Sequence, residues 1–193
     1  GRYADGWMPV GIGAEEYAQK MAYLDGVADS VGRPPLTGSM FPLTVLGESR
    51  AQIDAALEAS PLAKLILLYA PATLWQRYGL EHPNGPTCRG TADAIPHVLD
   101  PHELRSLAQC IPKPMVDEFM MYGNADELTA SLQPYARAGL DHVVICDFTA
   151  FVHAPEVTMS LMGSQLPRLV QNLRAMPARG AVRSPAPSRA VSA

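Results

Sequence analysis

Cysteine is scarce in this chain. Cys88, Cys110 and Cys146 are the three present, too few and too widely spaced for a disulfide framework or a Cys-x-x-Cys metal or redox pair. A reduced, cytoplasmic setting is therefore expected. No apolar run approaches the roughly 18 residues that a membrane span needs, and Gly1-Arg2-Tyr3-Ala4-Asp5 has neither an apolar signal core nor a cleavage pattern. The five histidines, His82, His97, His102, His142 and His153, form no His-Glu-x-x-His pattern, so no metal site is expected. A Gly-x-Ser-x-Gly elbow and a Walker-type lysine loop are both missing, which removes support for hydrolase and nucleotide-phosphate chemistry. Gly11-x-Gly13 lacks the third glycine of a dinucleotide loop, and Glu15 and Glu16 follow it. Carboxylates there suit a helix dipole and repel a phosphate. Positive charge is also short in the body. Net charge is -4 overall, yet four of the arginines lie from Arg174 onward, so residues 1–173 carry 11 basic against 19 acidic side chains. That balance argues against a nucleic-acid partner.

What is present is enough for one globular unit: 193 residues, 48% of them hydrophobic. Gly6–Val10 has the length and apolar character of a buried strand. From Ala14 to Val31, Tyr17, Met21, Leu24, Val27 and Val31 recur at helical spacing, and Gly32-Arg33-Pro34-Pro35 ends the run. Phe41–Leu46 is a second expected strand, followed by a helix that turns Ile53 and Leu57 inward. Ser60-Pro61 has the pattern of an N-cap and first-turn proline for a helix through Leu62, Leu65 and Leu68, and Pro71–Tyr78 is expected to be helical. Residues 79–96 form a loop of unusual length. Asp100-Pro101-His102-Glu103 caps a short helix, and Asn124-Ala125-Asp126-Glu127 starts another that carries Leu128, Leu132 and Tyr135 and ends at Gly139. Pro134 is expected to kink or weaken its last turn. His142–Cys146 is the clearest strand, and Glu156–Arg174 the last helix. Residues 177–193, rich in Pro, Ala, Ser and Arg, are expected to be a disordered tail behind a single domain of residues 1–176.

Strands separated by helical stretches predict right-handed crossovers and a parallel sheet, an α/β class. Three or four strands are too few to close an eight-stranded barrel, so open sheet edges are expected, with homo-oligomers or aggregation as their outlet.

Gly1-Arg2-Tyr3-Ala4-Asp5-Gly6-Trp7 resembles the Gly-Arg-Tyr-x-Asp-Gly-Trp/Phe segment of the luciferase-like monooxygenase family, particularly its coenzyme F420-dependent members. Glu15-Glu16, Leu74-Trp75-x-x-Tyr78-Gly79, His82-Pro83-x-Gly85, Gly123-Asn124-x-x-Glu127 and Ala138-Gly139-Leu140-Asp141-His142-Val143-Val144 follow in the family's order. The resemblance covers residues 1 to about 150. It implies part of a (β/α)8 TIM barrel, with C-terminal strands and helices only and a helical insertion. Trp7 would lie on the sixth strand, Phe41–Leu46 on the seventh and His142–Cys146 on the eighth, with Phe119–Tyr122 inside the insertion. It implies an oxidoreductase that transfers hydride between F420, or alternatively FMN, and a small organic or lipid-like substrate. The isolated chain would then be an inactive fragment. A non-catalytic barrel remnant or association module is the competing reading.

In such a barrel the strands' carboxyl ends carry the chemistry. Trp7, Met8 and Pro9 are accordingly expected to wall the substrate side of the pocket, with Glu48 and Asp147 at its rim and His82 as a polar contact from the covering loop. The competing roles are core packing for Trp7 and Met8, helix capping for the two acids, and a purely structural loop around His82. No residue is singled out as catalytic or as cofactor-binding.

Overall fold

The computed structural model describes residues 1–93 and 100–177, and of Leu62 only the backbone. His97, the end of the long loop and the tail beyond Pro177 lie outside the described residues. Every strand pair is parallel. β2 (Thr37–Met40) and β3 (Leu43–Leu46) are halves of one extended path, interrupted where Pro42 has no amide hydrogen for the ladder. β5 (Leu140–Val143) and β6 (Cys146–Asp147) run alongside on one edge. The amides of Val144 and Cys146 keep the two paths joined, donating to the carbonyls of Met40 at 2.9 Å and Pro42 at 3.1 Å. On the other edge β1 (Gly6–Trp7) pairs with the first half of the path and β4 (Met121–Gly123) with the second: Trp7 lies opposite Gly38, and Tyr122 opposite Val45. The fold is thus α/β with parallel strands, and it does not close into a barrel.

Three sequence expectations shift here. Phe119–Tyr122 does not belong to a purely helical insertion, because Met121 and Tyr122 are strand residues bonded to β3. The strand expected at His142–Cys146 starts two residues earlier and breaks at Val144-Ile145. Gly6–Val10 contributes ladder pairs only at Gly6 and Trp7, although the Pro9 carbonyl still accepts from Phe41 N at 3.2 Å.

Helices cover both faces of the sheet. α1 (Ala14–Ser30), α6 (Ala125–Arg137) and α8 (Pro155–Arg174) take one face, where Met40 meets Tyr17, Met21 and Leu132, and Leu46 meets Leu128, Leu161 and Leu169. The opposite face receives α2 (Arg50–Ala59), a 3-10 segment (Pro61–Tyr69), α3 (Ala72–Arg77) and α5 (Lys113–Phe119), which pack Ile53, Leu57, Leu67, Trp75 and Met115 against Leu43 and Val45. Strand side chains alternate between faces, so a strand covered on both sides reads as unbroken burial. Leu43, Thr44, Val45 and Leu46 are all buried. Each Leu- or Ile-sized side chain in these layers contributes about 1.5–3 kcal/mol.

Local signals explain the helix starts. Asn124 forms a full capping box: its side chain accepts from the amides of Asp126 and Glu127, and Glu127 accepts in return from Asn124 N. Asp100 caps α4 (Pro101–Cys110) through the amides of His102 and Glu103. Ser60 is no cap. Its hydroxyl donates to the Phe151 carbonyl at 3.0 Å, and the segment it precedes winds as a 3-10 helix rather than an α-helix. Pro134 does not break α6, which continues to Arg137 with the Ala138 amide donating to the Pro134 carbonyl. Val31, expected on the inner face of α1, is 46% exposed because the helix has already ended there, and Ala28 is buried instead.

Candidate functional site at the carboxyl ends of the strands

Parallel strands put all their carboxyl ends toward one edge, but not at one height. β1 gives way to Met8-Pro9-Val10 beside Phe41, whereas β3 and β6 end at Gly47-Glu48 and Asp147-Phe148-Thr149. Trp7 pairs with Gly38 and Asp147 with Thr44. Those partners are six residues apart on one path, about 20 Å at 3.3 Å per residue. The structure therefore sets Trp7 that far along the strands from Asp147, and Pro9, whose carbonyl accepts from Phe41 N, about 10 Å from it in the same direction. Trp7 is half-buried and stacks on Tyr17 with ring centroids 5.5 Å apart, while Met8 is 51% exposed. Pro9 is half-buried between them and Val10.

At the far ends of β3 and β6 a hydrogen-bonded group holds the peptide of Leu46. The Leu46 amide donates to Thr149 Oγ1 at 2.9 Å, the Thr149 hydroxyl donates to Asp147 Oδ1 at 2.5 Å, and His153 Nε2 lies 3.0 Å from the Leu46 carbonyl oxygen. Thr149 is completely buried, at the start of α7 (Thr149–Val152), a helix that sequence reasoning did not anticipate. Asp147 thus serves the turn between β6 and α7. Glu48 is exposed, and its amide donates to Gln52 Oε1 at 2.8 Å.

His82 is not on this edge. It is 3% exposed, its Nδ1 accepts from Asn84 N at 3.0 Å, and Nε2 lies 3.1 Å from the Leu68 carbonyl, with the ring edge-on to Trp75. An acceptor at Nδ1 requires the proton at Nε2, so the ring is neutral, and burial pulls its pKa below the usual histidine value. Both nitrogens are spent on backbone groups, which makes His82 a latch between the loop and the 3-10 segment.

Two features escaped sequence reasoning because they join elements far apart in the chain. Arg50 Nη2 donates to the Tyr122 hydroxyl at 2.7 Å, Lys113 also reaches that hydroxyl, and both cations lie over the Tyr122 ring. Asp54 and Asp117 pair with the two cations. A hydrogen bond from Lys113 is the main cause holding the Asp54 carboxyl below its ordinary range. Two positive and two negative groups neutralise one another, leaving no net charge for a ligand. The second feature is a cavity of about 390 Å³ between the 3-10 segment, α4 and the Phe148–Phe151 turn. The starts of α1 and α6 carry Glu15, Glu16, Asp126 and Glu127, so neither offers a phosphate cradle. Among the described residues, no cluster of three His, Cys, Asp or Glu side chains could hold a metal ion, and no helix is long and apolar enough to cross a membrane.

No protein-family model matches the chain. In sequence it is similar to the phthiodiolone/phenolphthiodiolone dimycocerosates ketoreductase of Mycobacterium bovis (strain BCG / Pasteur 1173P2), 32% identical over 150 residues, which is 75% of this chain and 39% of that protein. The enzyme of the same name from Mycobacterium kansasii is 29% identical over 150 residues, covering 75% of this chain and 40% of that protein. The chain thus spans about two fifths of the length of these curated relatives. In fold it is similar to the coenzyme F420 dependent tetrahydromethanopterin reductase from Methanopyrus kandleri, with TM-score 0.56 and 13% identity over 87% of this chain and 46% of that one. An F420-dependent secondary alcohol dehydrogenase solved with an F420-acetone adduct gives TM-score 0.51 and 13% identity over 86% of this chain and 43% of that one.

Proposed function

Since this chain belongs to the luciferase-like oxidoreductase family, we propose that it supplies the C-terminal strands of a cytoplasmic (β/α)8 barrel enzyme that reduces a lipid-like ketone. Hydride would pass from F420, with FMN as the alternative cofactor. The observation that carries this reading is the 32% identity to a ketoreductase over 150 residues, together with a parallel sheet whose order, β1 beside β2 beside β5, matches successive strands of such a barrel. Residues 1–176 act as one unit in this reading. Trp7, Met8 and Pro9 wall the substrate side, the stacked Trp7–Tyr17 pair holding the indole in place and the exposed Met8 meeting the substrate. Glu48 and Asp147 stay at the rim, where Asp147 orders the β6–α7 turn, and the latch at His82 keeps the covering loop on the 3-10 segment.

A deazaflavin, when bound, supplies the hydride; the protein excludes water and orients the carbonyl. Acids occupy the starts of α1 and α6, so those two helix starts are not the cradle for the cofactor's phosphate in this reading. In this reading the cofactor also draws contacts from the part of the longer relatives that this chain does not match. One observation favours the second reading, a non-catalytic remnant or association module. The face carrying Leu43 and Val45 is already filled by α2 and the 3-10 segment, while both sheet edges lack a strand partner among the described residues.

A chimera separates the two. Residues 1–177 replace the matching segment of a dimycocerosates ketoreductase, and F420 and FMN are titrated separately while ketone reduction is followed. Cofactor binding and turnover, with Trp7→Ala raising KM, support the enzyme reading. A folded chimera that binds neither cofactor rejects it in favour of the remnant.

A further inference from the structure

We infer that the cavity between the 3-10 segment, α4 and the Phe148–Phe151 turn binds the alkyl chain of an uncharged amphiphile. This goes beyond the hydride-transfer reading and stands on the cavity itself. Its volume, about 390 Å³, lies within the range of sites that enclose a small ligand. Ala63, Ile66 and Leu68 line it from the 3-10 segment, Leu104 from α4, and Phe148 and Phe151 from the far side. The two phenyl rings lie 5.5 Å apart and tilted, which gives an aromatic wall facing an aliphatic one.

Charge decides the class of occupant. Among the described residues, no Asp, Glu, Lys, Arg or His lines the cavity, and the Ser60 hydroxyl at its edge is already donating to the Phe151 carbonyl. A charged group placed inside would be desolvated without a partner, whereas a hydrocarbon loses nothing. The mouth is marked by side chains that ordinary cores hide: Phe151 is 67% exposed and Tyr69 37%. Exposed aromatics at the rim of an apolar recess mark an interaction site, a ligand-binding groove among them. Tyr69 adds a phenol that suits one uncharged polar head, an alcohol or a ketone.

The test is calorimetric titration of the chain with hexan-1-ol, octan-1-ol and decan-1-ol. The expected result is one equivalent bound, with affinity rising about fourfold per added methylene. Ala63→Phe, which fills the cavity, should weaken decan-1-ol by at least tenfold while leaving the circular dichroism spectrum unchanged. Should that variant fail to fold, a nitroxide-labelled decanol on the wild-type chain decides instead, by broadening the ring resonances of Phe148 and Phe151. Absence of saturable binding, no dependence on chain length, full affinity in folded Ala63→Phe, or broadening centred on Trp7 and Met8 each overturns the inference. Alkanol binding by a chain whose chimera binds no cofactor would sustain the cavity site and sink only the hydride-transfer reading.

Discussion

Thr149→Val is the most informative single change, because it removes one oxygen from a completely buried site and leaves the side-chain volume almost unaltered. In the wild type that oxygen accepts from the Leu46 amide at 2.9 Å and its hydroxyl donates to Asp147 Oδ1 at 2.5 Å. Valine leaves the Leu46 N–H without a partner inside the protein, which costs about 1–3 kcal/mol. The lost bond to the half-buried Asp147 carboxylate adds about 1 kcal/mol, since water replaces it only in part. The sum is about 2–4 kcal/mol. With a urea m-value of about 2 kcal/mol/M, the unfolding midpoint should fall by about 1–2 M. Thr149→Ser retains the hydroxyl and loses one methyl group, so it should lie within about 1 kcal/mol of the wild type. Amide exchange supplies a local readout: Leu46 N–H should become one of the amides most accelerated in the valine variant. A valine variant within about 0.5 kcal/mol of wild type, or a serine variant as unstable as the valine one, would refute the assignment of this hydroxyl as the clamp on β3.

Three further outcomes are expected. Gly38→Ala would set its Cβ 2.1 Å from the Gly139 carbonyl oxygen and 2.7 Å from the Tyr17 hydroxyl, so β2 and β5 must separate; a loss of about 3 kcal/mol or more by urea titration is expected, and full stability would contradict the close approach. Asn124→Ala removes the acceptor for two amides and should cost about 1–2 kcal/mol, with Asn124→Asp restoring most of it in the same assay. His82 has a folded-state pKa below its ordinary 6.5, because burial disfavours the imidazolium. The unfolded chain takes up that proton first, so stability holds above about pH 6.5 and declines as pH falls toward the depressed folded value. His82→Gln should flatten that acid-side slope; an unchanged slope between pH 6.5 and 5 would show that His82 does not cause it.

Legibility followed the range of the interaction. The capping box at Asn124 and the cap at Asp100 were readable because the residues that make them lie within four positions of one another. The Ala14 helix was readable from its spacing, apart from Val31, where the end of the helix and not its period set exposure. β4 was not readable. Met121-Tyr122-Gly123 has no alternation long enough to register as a strand, and it becomes one only because Val45 and Leu46 offer it an edge. The 3-10 winding of Pro61–Tyr69 likewise has no sequence signature, since its pattern of leucines suits an α-helix equally well. Among the candidate site residues, Trp7, Met8, Pro9, Glu48 and Asp147 lie at or just beyond strand ends, yet the rise of about 20 Å between Trp7 and Asp147 depends on register, which no single-strand pattern encodes.

By itself the sequence determined the class of the fold, the order and approximate bounds of most helices, and kinship with the luciferase-like oxidoreductases. Those follow from local hydrogen bonding, from hydrophobic period and from motif order, all of which are written in neighbouring residues. Tertiary structure alone decided that β1 and β4 share one edge, that Thr149 and His153 grip Leu46, that His82 Nε2 meets the Leu68 carbonyl, and that an apolar-lined cavity opens beside Phe151. Each of these joins residues distant in the chain, and which distant groups meet is set by the packing of the whole core.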